Sequence, residues 1–137
     1  MKTNLLTLAA ALAVVALLVA HLWGHPWTPV RIAGAAIGVP SLALLSLARI
    51  QLGGSFSVRA KAHALVTGGL YSRIRNPIYV FGALTIAGII LFAGAPKLLW
   101  VLAAHIPLQV YRARKEARVL AARFGDEYRA YKARTWF

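Results

Sequence analysis

At 137 residues the chain has the length of one domain, with 60% of its residues hydrophobic and 14% charged. Soluble domains carry about a quarter charged residues, so the composition excludes an ordinary water-soluble fold and points to an all-α, multi-pass membrane protein. There is no cysteine, which excludes disulfides and thiolate chemistry, and the net charge of +13 rests on 16 lysines and arginines against three acids.

Leu5 to Trp23 holds no charged residue and is about twenty residues long, enough to cross the hydrocarbon core. A signal peptide competes for Lys2 and the apolar run behind it. The run is too long for one, and His21 to Pro26 offers no small-residue cleavage pattern. Trp23 and Trp27 bracket a turn containing Gly24, Pro26 and Pro29, as interfacial anchors do. A second span is expected from Ile32 to about Leu47, where Gly34 and Gly38 allow close helix packing and Pro40 suggests a kink.

Arg49 closes that span and opens a polar connector. Gly68 and Gly69 break any helix there, and Pro77 suits the first turn of a third span, Ile78 to Phe92. Gly82 and Gly88 offer this span close packing. Gly94 to Lys97 make a turn, and a fourth span covers Leu98 to about Tyr111, with Pro107 as a second kink. Four spans put both termini on one side of the membrane. All lysines and arginines except Arg31 and Lys97 lie at the N-terminus, in the connector or beyond Tyr111, so the positive-inside rule makes that side cytoplasmic. Because the cations flank lipid-length segments, anionic headgroups near the basic tail are the expected counter-charge, not nucleic acid.

The tail changes character at Arg112. Ala113, Ala117, Leu120, Ala121, Phe124, Tyr128 and Tyr131 recur at helical spacing, and Arg112, Glu116, Arg123 and Glu127 line an adjoining stripe. The plain reading is a C-terminal amphipathic helix on the bilayer, which Gly125 kinks or interrupts. The whole is then one domain, 1–137, with about four transmembrane helices, a cytoplasmic connector and this helix.

Two blocks sharpen that picture. The connector carries His63, Leu65, Val66, Gly69 and Tyr71, then Arg75, Asn76, Pro77 and Tyr79; the tail carries Glu116, Leu120, Phe124, Gly125, Tyr128 and Tyr131. In that order they resemble the isoprenylcysteine carboxyl methyltransferase and phospholipid methyltransferase group of integral membrane methyltransferases, over Arg49 to Tyr131. The family pattern has a second glutamate where Ala117 stands here. It also has histidine at Asn76 in eukaryotic members, although asparagine is common in bacterial ones.

The resemblance implies methyl transfer from S-adenosylmethionine to a lipophilic acceptor, at the cytoplasmic face of a bacterial inner membrane. The short chain suits a minimal bacterial member. It implies a cofactor pocket of connector and tail built by His63, Leu65, Val66, Gly69, Tyr71, Asn76, Pro77, Tyr79 and Glu116, with Arg75, Asn76 and Arg112 as candidates to assist the reaction. Glu116 would accept the cofactor's ammonium or ribose hydroxyls, and Arg75 or Arg112 would hold its carboxylate in arginine's forked geometry. Backbone amides around Val66 to Gly69 would address the adenine edge. Each residue also has a structural reading: His63, Tyr71 and Tyr79 as interfacial groups, and Glu116 as a helix-surface partner of Arg112. His21, His25 and His105 have no acid or second ligand at metal spacing, so no metal site is expected.

Two other functions compete. A catalytically silent membrane scaffold of the same fold is compatible with Ala117. A small four-helix transporter would need an acid within the membrane, and all three acids lie in the tail. Prenylcysteine carboxylate, phospholipid amine and other lipophilic acceptors all stay open.

Overall fold

The structure, a computed structural model, describes residues 2–53 and 65–136. These residues form five α-helices: α1 (Lys2–Leu22), α2 (Pro29–Leu52), α3 (Pro77–Phe92), α4 (Leu99–Phe124) and α5 (Asp126–Arg134). No strand occurs among them. His63 lies outside the described residues.

The helix starts follow from local chemistry. Pro29 stands at the first turn of α2, where its missing N–H costs nothing, and the Thr28 hydroxyl accepts the Arg31 amide at 3.3 Å. Pro77 plays the same part for α3, with the Asn76 carbonyl accepting the amides of Tyr79 and Val80 at 3.1 and 3.2 Å. α2 runs through Pro40 and α4 through Pro107. α4 also corrects the expected division at Tyr111: the fourth apolar segment and the first part of the basic tail are one 26-residue helix. It stops at Gly125, whose φ of 52° suits glycine, and α5 begins immediately.

The core of the packing is the crossing of α2 and α3. A Cβ on Gly34 would meet the Gly88 carbonyl oxygen at 2.7 Å and the Phe92 amide, and a Cβ on Gly88 would strike the Gly38 backbone and Gly34 O at 2.8 Å. These glycines therefore let two backbones touch. Gly82 takes no part in this, because a Cβ there would meet nothing within 4 Å. At the same end of the molecule Arg31 is only 6% exposed. Its guanidinium donates to the carbonyls of Phe92 (3.0 Å), Pro26 (3.0 Å) and Leu22 (3.4 Å), and stacks over the Phe92 ring. One side chain thus bonds carbonyls at the ends of α1 and α3 and ties both to the start of α2.

Outward faces are apolar. Leu6, Leu17, Val39 and Ile50 are exposed, and so are Trp23 at 77% and Trp100 at 81%. Taken alone, α2 is the one described helix long and apolar enough to cross a membrane; Ala9–Leu22 and α3 are shorter apolar helices.

Candidate functional site

The connector is held from both sides. Gly69 has a φ of 58°, and the Gln51 side chain fills the space where a Cβ would stand. From there Gln51 Oε1 accepts the Leu70 amide at 2.8 Å, anchoring the short 3₁₀ turn Gly69–Ser72 to the end of α2. The buried Tyr71 hydroxyl donates to Ala48 O at 3.3 Å, and its own carbonyl accepts the Tyr131 hydroxyl of α5 at 2.7 Å. Arg75 Nη1 donates to Lys132 O at 3.1 Å and to Thr135 O and Oγ1 at 3.2 Å. The Trp136 amide closes the latch on Arg73 O at 2.7 Å.

Beneath this lacing lies a cavity of about 1060 Å³. Connector residues Leu65, Val66, Tyr71, Arg75, Asn76 and Pro77 line it, with Tyr79 from α3 and Arg112 and Glu116 from α4. The structure thus brings the two sequence blocks, 37 residues apart at Tyr79 and Glu116, to one wall: the Tyr79 hydroxyl donates to Glu116 Oε1 at 2.6 Å. Of the sequence candidates among the described residues, Gly69 alone stands off the cavity, shaping its rim through Gln51.

Glu116 is the one acid among the described lining residues. Its position is electrostatically tense. Burial raises its proton affinity above the ordinary carboxyl value, and the Tyr79 hydrogen bond and the Arg112 charge oppose that shift without cancelling it. The helix-surface reading made Glu116 a solvated partner of Arg112; the side chain is instead half-buried and bonded to Tyr79, with the Arg112 charge still acting on it. Burial likewise pushes the Tyr71 and Tyr128 phenols up and the Tyr131 phenol to about 12. Ala117 lines the cavity beside Glu116, so the absent second carboxylate leaves an apolar wall there.

Several lining residues were not singled out as site candidates. Tyr128 and Tyr131 were read as positions of the tail's helical face and of the family motif, and both are buried and line the cavity. The 3.6-residue arithmetic that put them with Ala113, Ala117 and Leu120 was the available signal, and these five residues line the cavity. Gln109 also lines the wall, together with Val14 and Val15 of α1, and no spacing pointed to these.

A family model described as phospholipid methyltransferase matches residues 30–127, which takes in α2, the connector, α3 and α4. Comparison with curated proteins and with solved structures found no match.

Proposed function

The chain belongs to the phospholipid methyltransferase family, and from that premise we propose that it transfers a methyl group from S-adenosylmethionine to a lipophilic acceptor at the cytoplasmic face of a bacterial inner membrane. The family implies membrane methyltransferase activity in general. The observation that carries the finer reading is the joining of connector and tail around one cavity through Tyr79 and Glu116.

The donor set suits this cofactor. A half-buried carboxylate short of counter-charge favours a cation, and Glu116 offers it to the ammonium group. Arg112, at the same wall, offers a guanidinium for the carboxylate. Arg75 braces the rim through the tail carbonyls, and the chain around Leu65 and Val66 offers backbone groups for the adenine edge. Tyr71 and Pro77 wall the site, and Asn76, whose side chain makes no cap hydrogen bond, supplies a further polar group. Bound there, S-adenosylmethionine supplies a methyl group already activated on a sulfonium. The protein's work is then alignment and exclusion of water, which can lower a barrier by several kcal/mol.

Toward α1 the cavity wall becomes apolar, with Val14, Val15, Ile86, Ile89 and Leu108, a setting for an acceptor that partitions into lipid. We read α1, α2, α3 and the first half of α4 as four membrane crossings with both termini cytoplasmic. Exposed Trp23, Trp27 and Trp100 stand at the two outer turns, consistent with an interfacial belt. At the opposite end, exposed Arg114, Lys115 and Arg118 face anionic headgroups.

Calorimetry on protein in phosphatidylcholine nanodiscs tests the function. Saturable heats with both S-adenosylmethionine and S-adenosylhomocysteine are expected. No heat at millimolar cofactor, with helical content intact, refutes it.

A further inference from the structure

Between Leu99 and Tyr111 α4 carries no charge, and its strongly polar side chains there are His105 and Gln109, one turn apart. They bond to each other, Gln109 Nε2 and His105 Nε2 lying 2.8 Å apart. The other end of the carboxamide is unusual. Gln109 Oε1 is buried and has no hydrogen-bond partner among the described residues. Buried polar groups are nearly always satisfied, and in apolar surroundings an orphan acceptor costs free energy that leucine at this position would avoid.

Its placement supplies a reason. Gln109 lines the same cavity as Glu116 and stands two helical turns from it, on the same face of α4. The stripe runs His105, Gln109, Arg112, Glu116: the last two line the cavity beside the connector residues, and Gln109 lines it in company with the apolar side chains of Val14, Val15, Ile86, Ile89 and Leu108. A lipophilic molecule lodged in that apolar end would meet one polar group in need of a donor.

We propose that Gln109, oriented by His105, binds the polar head of the lipophilic ligand of this cavity, and that this head presents an O–H or N–H. Identifying that ligand as the methyl acceptor rests on the function proposed above; the contact itself rests on the orphan carbonyl. A head bearing a donor completes the amide's hydrogen bonding, whereas a carboxylate or an ether leaves Oε1 unsatisfied and is rejected.

Phosphatidylcholine nanodiscs provide the test, because that lipid has no O–H or N–H of its own. Dodecan-1-ol and dodecyl methyl ether differ at the head by the donor, and each is titrated at matched bilayer mole fraction against the thermal unfolding of the protein. The alcohol is expected to bind about tenfold more tightly than the ether, as one hydrogen bond to an otherwise orphaned carbonyl predicts. In Gln109→Leu the alcohol should fall to the level of the ether, while the unliganded variant melts no lower than the parent. Equal affinity of the parent for the two ligands overturns the proposal, and so does discrimination that survives in Gln109→Leu. If that variant fails to fold, the parent's alcohol-to-ether ratio decides alone. Cofactor calorimetry on the same discs reports separately: discrimination without cofactor binding keeps the ligand contact and removes the methyl-transfer reading.

Discussion

Glu116→Gln separates an active-site carboxylate from a surface one. The side chain is half-buried and bonded to Tyr79 at 2.6 Å, in a cavity wall where it is the single acid among the described residues. A charge-assisted hydrogen bond in such a place contributes about 1.5–3 kcal/mol, which corresponds to a loss of affinity of about tenfold to more than a hundredfold. Glutamine keeps the shape and a hydrogen bond to Tyr79, so the loss measures the charge. Glu127→Gln is the control: it sits exposed on α5 and should change affinity by less than about 1 kcal/mol. Calorimetry also reads a proton. Burial makes free Glu116 hold its proton above the ordinary carboxyl range, and a bound cation favours the carboxylate. Binding should therefore release protons in the window just above that range, and affinity should rise with pH across it. For folding the sign reverses. The native state keeps this proton longer than the unfolded chain, so the contribution to stability is greatest below the unfolded value and falls as pH rises through the native one. Titrations in buffers of different ionisation enthalpy should show the release in the parent and not in Glu116→Gln. Equal effects of the two substitutions, or none from either, would mean that Glu116 does not touch the cofactor.

The α2–α3 crossing and the topology yield two further expectations. Gly88→Ala should lower the unfolding temperature, at a cost of at least about 1–3 kcal/mol, because the new methyl meets Gly38 backbone and Gly34 O at 2.8 Å. Gly82→Ala, with nothing within 4 Å of its Cβ, should be neutral or stabilising by up to about 1 kcal/mol, and similar melting of the two variants would contradict the crossing. Reporter fusions after Gly24 and after Ala95 should both signal the outer side of the membrane; a cytoplasmic signal at either site would break the four-span reading.

The sequence alone determined the class of this protein. Hydrophobic runs between charged clusters leave the backbone no economical option but helices, and Pro77 with Gly34 and Gly38 marks a helix start and a close packing face through steric rules that act locally. The family blocks were also legible, because they are short words of ordered residues. What the sequence did not delimit was the fourth helix. At Arg112 the composition switches from apolar to basic, which marks a change of surroundings but no break in the backbone; no Gly or Pro interrupts the chain between Pro107 and Gly125, so α4 simply continues. Partners distant in sequence were invisible for a related reason. Arg31 counted as one cation on the outer side until folding placed three carbonyls around it. His105 was set aside for want of a second ligand, and Gln109 passed unmarked. Their meaning depends on which wall of α4 closes a cavity, and that is decided by how α4 packs against α3. Tyr79 and Glu116 make the same point: spacing put Glu116 on a helix stripe and motif order picked out Tyr79, and only the tertiary structure could decide that the two meet at hydrogen-bond distance.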